Sequence, residues 1–130
     1  MDNQTPSPFK SHGGLTRIMR AFIYSLQGLK AAWQHEAAFR QECGLALILF
    51  PTAFWLGRDA TEIFLLCLVL VLVLVAELIN SAIEALADAI STEHHPLLGR
   101  AKDIGSAAVL LALIVVVAWW GWVVVDRFFL

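Results

Sequence analysis

The sequence predicts an all-α integral membrane protein, an amino-terminal amphipathic surface helix followed by three transmembrane helices. Three observations carry this. Of 130 residues, 59% are apolar and 15% charged, and the mean hydropathy of +0.73 exceeds what a soluble core needs. Fourteen uncharged residues run from Ile63 to Ala76. A further apolar stretch, Ile104 to Val125, contains no charge and matches the roughly 20 residues that a helix needs to cross hydrocarbon. Such a composition excludes a disordered chain, a disulfide scaffold and a water-soluble enzyme. The net charge of −2 provides no basic field, so no nucleic acid partner is expected. Cys43 and Cys67 lie in apolar runs without metal-ligand spacing and read as small buried residues.

In chain order, residues 1–14, punctuated by Pro6, Pro8, Gly13 and Gly14, form a flexible tail, and 15–130 a single membrane domain. Leu15, Ile18, Met19, Phe22, Ile23, Leu26, Leu29 and Trp33 recur at helical spacing, opposite a polar face of Arg17, Arg20, Tyr24 and Gln27. That pattern places a helix of about 15–34 in the plane of a membrane surface. The first span, about 37–57, is imperfect, with Arg40 and Glu42 near its start and Pro51 inside. The second, about 63–90, turns polar on one side after Ala76, and the third covers about 104–125. Trp55, Trp119, Trp120 and Trp122 fall at span ends, where interfacial indoles belong. The links are a tight turn, Arg58–Thr61, and a longer polar loop, Ser91–Asp103. Lys10, Arg17, Arg20, Lys30 and Arg40, with Arg100 and Lys102 in the second loop, outnumber Arg58 and Arg127 on the other side. The amino terminus and second loop are therefore expected in the cytoplasm.

The anomaly lies in the second span. Glu77, Asn80, Glu84 and Asp88 follow at steps of three, four and four, one narrow helical stripe. Counted from Ile63, Glu77 falls roughly 21 Å along the axis, inside a hydrocarbon core of about 30 Å, while Glu84 emerges near the interface. A carboxylate at that depth costs roughly 2.5–3.5 kcal/mol on insertion scales and must face protein or water. A polar seam gluing helices together would account for Asn80 and Ser81. It accounts poorly for two glutamates and an aspartate, and functional carboxylates are the better reading. Glu36 and Arg40 share a face at i, i+4, where a local ion pair is the simple explanation; Glu42 is turned away from both. Gly99-Arg100-Ala101-Lys102-Asp103 precedes the last span, and its adjacent Lys and Asp suit polyphosphate as well as a solvated loop. His94 and His95 beside Glu93 read as loop residues rather than metal ligands. Carboxylates and a lysine gathered at one rim point to a Mg²⁺–nucleotide site, with Mg²⁺ held by one or two carboxylates and phosphate oxygens. No P-loop, kinase catalytic loop or D-F-G occurs, so phosphoryl transfer would use an unrelated scaffold.

The strings Ala21-x-x-Tyr24-Ser25-x-x-Gly28-Leu29, Glu36-Ala-Ala-Phe39-Arg40-Gln41-Glu42, Glu77-x-x-Asn80-Ser81-Ala82-Ile83-Glu84 and Gly99-Arg100-Ala101-Lys102-Asp103 resemble the prokaryotic diacylglycerol kinase family, of the Gram-negative type, from about Leu15 to the end of the last span. The resemblance implies a homotrimer of three-span subunits in the bacterial inner membrane that phosphorylates diacylglycerol with MgATP to phosphatidic acid. By matching position it implies Glu77 as catalytic base and Glu36 and Glu84 as ligands of Mg²⁺. It implies nucleotide contacts for Arg17, Tyr24, Glu36, Glu84, Glu93, His94, His95, Lys102 and Asp103. Arg17, Ser25, Lys30, Trp33, Arg40, Glu42, Glu77 and Ser106 are implied at the lipid substrate, with Asn80 and Asp88 in support. The sequence departs from the family pattern at Leu26 and Gln27, where Trp-Lys is usual, and at His94 and Pro96.

Two rival readings remain. Undecaprenol kinase is a related branch that shares the acidic motifs. A small proton-coupled membrane transporter would use Glu77 to bind protons, but leaves Gly-Arg-Ala-Lys-Asp unexplained.

Overall fold

The computed structural model describes residues 14–130; apart from Gly14, the tail expected over 1–14, and Lys10 within it, lies outside the described residues. Four helices follow in order: α1 Gly14–His35, α2 Ala37–Leu56, α3 Ala60–Ile90 and α4 Pro96–Phe128. They fall into two compact units, one holding α1 and the other running from Glu36 to Leu130. Among the described residues there is no strand.

In the first unit, α1 is the most amphipathic of the four. Its apolar stripe of Leu15, Ile18, Met19, Phe22, Leu26 and Trp33 remains largely exposed, which suits a helix whose apolar side is turned to lipid headgroups and acyl chains.

In the second unit, α3 packs on both neighbours, more extensively on α4 than on α2. Leu66, Leu70, Val73 and Glu77 continue one buried line down α3 at steps of three and four. The most buried cluster joins Ala53 and Leu56 of α2, Leu66 of α3 and Val123 of α4, with Cys67, Trp119 and Trp120 against it. This corrects the expectation for two of the tryptophans. Trp120 Nε1 donates to the Leu66 carbonyl at 3.2 Å and Trp119 Nε1 is buried, so both indoles serve helix packing, whereas Trp55 and Trp122 are exposed.

Among the described residues, α3 and α4 are the helices long and apolar enough to cross a membrane. At 1.5 Å per residue, their 31 and 33 residues reach about 46 and 50 Å, well past a hydrocarbon core of about 30 Å. Both helices therefore extend into water. The protein is an all-α membrane protein. α2 carries Arg40, Gln41 and Glu42 near its start and Pro51 within the helix, which membrane helices tolerate when neighbouring groups re-satisfy the backbone.

Both connections are shorter than the sequence suggests. The α2–α3 turn closes at Gly57, where a Cβ would collide with Ile63 Cγ1 and lie 3.1 Å from the Ala53 carbonyl oxygen. Asp59 caps α3, its Oδ1 accepting from Glu62 N at 2.9 Å. The Arg58 guanidinium pairs with Glu62 at 3.3 Å and with Asp126 near the end of α4; these two carboxylates raise its hold on the proton above that of a free guanidinium. Replacing Asp59 by Ala leaves one amide at the start of α3 without its acceptor and lowers stability by about 1 kcal/mol, read as an earlier thermal unfolding midpoint in detergent with no change in helicity.

The second connection holds the larger difference. Residues 99–103, expected in a loop, are helical, because α4 begins at Pro96. Proline at the first helical position has its φ already set and loses no hydrogen bond. The His95 side chain accepts from Leu97 N at 3.3 Å, filling the capping role more often taken by Ser, Thr, Asp or Asn.

Candidate active site

The acidic stripe of α3 becomes steadily more exposed along its length. Glu77, Asn80 and Ser81 are only 6%, 8% and 9% exposed, Glu84 is half-buried and Asp88 open to water. Glu77 thus occupies a core position, directly after Val73 on the packed face. A carboxylate there gives up most of its hydration, which the fold must offset with partners or with function.

Glu77 belongs to a group. Glu36 and Glu84 both act on it electrostatically, and Glu42 is coupled to it in the same way. Glu36 is the residue just before α2, and its side chain makes no capping hydrogen bond, so the carboxylate is left for other work. Glu42 is half-buried, and its Oε2 is sealed from solvent with no protein partner. Glu36, Glu42 and Glu84 are thus each within electrostatic reach of Glu77. Like charges this close, in a region of low dielectric, repel one another and favour a cation or a shared proton.

The donor set suits a hard cation. Carboxylate oxygens are the ligands that Mg²⁺ selects, usually one or two of them together with water and phosphate oxygens. Among the described residues no three His, Cys, Asp or Glu side chains form a metal cage, and a Mg²⁺ carried in by a nucleotide does not need one.

Outward from Glu77 the polar groups pair. Asn80 Nδ2 donates to Glu84 Oε1 at 2.9 Å. Lys102 Nζ of α4 donates to Asp88 Oδ1 of α3 at 2.6 Å and also lies within electrostatic reach of Glu84. Next to this pair opens a cavity of about 340 Å³ bounded by Asp88, Glu93, His94, His95 and Lys102. The histidines and the lysine, six to fourteen residues beyond Asp88 in the sequence, meet because the Ser91–His95 link is short and α4 starts at once.

The other residues singled out in the sequence distribute as follows. Asp103 and Ser106 are exposed on α4, and Arg40 is exposed on α2. Arg17, Tyr24, Ser25, Lys30 and Trp33 are exposed on α1, in the unit described separately; Ser25 Oγ donates to the Ala21 carbonyl at 2.9 Å.

Ser81, read in the sequence as part of a polar seam, is buried with its Oγ unpartnered, one helical turn from Glu77. One residue escaped the sequence reading. Gly105 is buried on α4 against Asn80, and a glycine inside an apolar helix was the signal there.

The architecture and the buried acids define a small α-helical membrane protein with a polar site at one end. Comparison with known proteins makes this specific. Residues 23–124 match the profile described as prokaryotic diacylglycerol kinase. The diacylglycerol kinase of Haemophilus influenzae is 52% identical over 108 residues, covering 83% of this chain and 92% of its own. That of Escherichia coli is 53% identical over 107 residues, covering 82% and 88%. That of Pseudomonas aeruginosa is 50% identical over 116 residues, covering 89% and 94%. The chain belongs to the prokaryotic diacylglycerol kinase family and is an enzyme of that family.

Proposed function

We propose that this enzyme transfers the γ-phosphoryl group of ATP to the primary hydroxyl of diacylglycerol, giving phosphatidic acid at the cytoplasmic face of the bacterial inner membrane. The observation that carries the reading is Glu77, nearly buried on a membrane-length helix and flanked by the charges of Glu36 and Glu84. In this reading α2 is a third crossing, the amino terminus is cytoplasmic, and the subunits assemble as a homotrimer. A partner is needed to cover the acid face of a three-helix subunit.

Each group takes a role that its surroundings support. Glu77 accepts the proton of the lipid hydroxyl as that oxygen bonds to the γ-phosphorus and the bond from phosphorus to the departing ADP oxygen breaks. Its place inside the hydrocarbon suits an acceptor whose alcohol arrives from the bilayer rather than from water. Glu36 and Glu84 would hold Mg²⁺, which would supply charge neutralisation to the nucleotide's phosphates. Lys102 leans over the same rim and stabilises the negative charge that builds on the leaving nucleotide. Glu93, His94 and His95 line the adjoining cavity with Lys102 and take the nucleotide there, with Asp103 in the same role; for α1, this reading keeps Arg17 and Tyr24 as nucleotide contacts. Glu42, within electrostatic reach of Glu77, shapes the lipid entrance with Arg40 and Ser106; for α1, this reading keeps Arg17, Ser25, Lys30 and Trp33 as lipid contacts. Asn80 and Asp88 act in support, through the hydrogen bonds that they make to Glu84 and Lys102. Most of the catalysis is placement, as befits a transfer that asks for little covalent chemistry from the protein.

Purified protein incubated with labelled ATP and a panel of lipids tests the proposal. Label is expected in diacylglycerol, at a rate at least about tenfold above undecaprenol, a discrimination of the size that pocket fit supplies. Equal or faster labelling of undecaprenol would move the protein to the related branch. Proton flux without ATP, in place of labelling, would overturn the kinase reading altogether.

A further inference from the structure

Gly105 stands where α4 comes closest to the acid stripe of α3. It is buried inside a long helix, where glycine weakens helical backbone relative to alanine, so its presence calls for a packing reason. The reason is Asn80. A Cβ at position 105 would collide with Asn80 Oδ1, and would lie 3.4 Å from Asn80 Cγ and 3.5 Å from Ile83 Cδ1. From its other end, the same amide donates to Glu84 Oε1. Oδ1 itself is buried without a donor. The amide is thus held by one hydrogen bond on one side and by the bare backbone of α4 on the other.

A carboxamide is planar and its two heteroatoms move together. Any rotation that withdraws Oδ1 from a new Cβ also swings Nδ2 off Glu84. One helical turn earlier on α4, Lys102 grips Asp88. These two α3–α4 contacts lie on either side of Glu84 along α3.

We propose that Gly105 is a positioning residue for phosphoryl transfer: its missing side chain seats the Asn80 amide, which aims the Glu84 carboxylate at the divalent cation that enters with the nucleotide. The inference rests on the reading of Glu84 as a metal ligand. Alanine at 105 favours the helix, so a functional loss there comes from the displaced amide and not from a poorer α4. Groups that orient a metal ligand are commonly worth 10- to 100-fold in metal affinity, and about tenfold is expected for this indirect route.

The experiment measures Mn²⁺ binding in the presence of a non-hydrolysable ATP analogue, from the electron paramagnetic resonance signal of free Mn²⁺. Wild type, Gly105→Ala, Asn80→Ala, the double variant Asn80→Ala/Gly105→Ala and Glu84→Gln are compared in detergent. Gly105→Ala and Asn80→Ala should each weaken binding about tenfold. The double variant should bind no more weakly than Asn80→Ala, because Gly105 acts only through the amide. Wild-type binding by Gly105→Ala or by Asn80→Ala overturns the inference, as does an additive loss in the double variant. Should the collision prevent Gly105→Ala from folding, the double variant relieves it, and the comparison with Asn80→Ala still decides. Unchanged binding by Glu84→Gln brings down the metal-ligand reading, and this inference with it; weakened binding by Glu84→Gln with normal Gly105→Ala removes the inference alone.

Discussion

Glu77→Gln should reduce phosphoryl transfer by at least about a hundredfold, the lower end of what a positioned general base contributes, while nucleotide binding and assembly persist. The amide is close to the carboxylate in size, so packing beside Val73 and Ser81 is preserved. What is lost is the capacity to take the proton of the lipid alcohol. The variant should also be no less stable to heat than wild type, because one negative charge is removed from beside Glu36, Glu42 and Glu84. The combination separates a catalytic from a structural role. Steady-state transfer from labelled ATP gives the rate, and thermal unfolding in detergent gives the stability. Retained turnover would strip Glu77 of the base assignment, and a large loss of stability would make it a structural residue.

The second large effect is on the metal. Glu84→Gln should raise the Mg²⁺ concentration for half-maximal rate by roughly 10- to 100-fold, the range found when the groups that hold or orient a metal ion are altered. Glutamine still accepts from Asn80 through its amide oxygen, so the local hydrogen bond survives and only the charge disappears. Turnover at saturating Mg²⁺ should recover in large part, since Glu77 and Lys102 remain. A Mg²⁺ titration at fixed ATP and lipid reads this directly, and an unshifted midpoint would remove Glu84 from the ion. Comparison with Glu36→Gln then tells whether the two carboxylates share the ion, in which case both midpoints move together.

The long apolar helices were legible because their hydrophobic runs are uninterrupted and too long for a soluble core. The acid stripe was legible for a related reason: a period of three and four, seen against an apolar background, admits one geometry. Residues 99–103 were not. Their charges suit a loop, and the start signal was Pro96 behind a histidine cap, a pairing weaker than the usual one. Glu42 shows another limit. Helical spacing turns it away from Glu36, which stands just before α2, and only the packing of α2 on α3 brings both within electrostatic reach of Glu77. Trp119 and Trp120 failed for want of depth information: indoles near the end of an apolar run suit the interface equally well until a neighbouring helix offers the Leu66 carbonyl. Gly105 stands out as a glycine in an apolar run, but what it accommodates is unreadable without Asn80 across from it.

The early start of α4 fixes the phase of its cationic group. From Pro96 onward the backbone is a continuous rod, so the bearing of Lys102 around its axis is set by counting residues from the proline. One inserted residue between them would turn the ammonium by about 100°, away from Asp88, with no flexible stretch to absorb the error. An insertion a few positions earlier, before the proline, would rearrange the link but leave that bearing unchanged. The same small change thus spares the heading of Lys102 on one side of Pro96 and turns it on the other, which makes this proline the datum from which the cation's heading is measured.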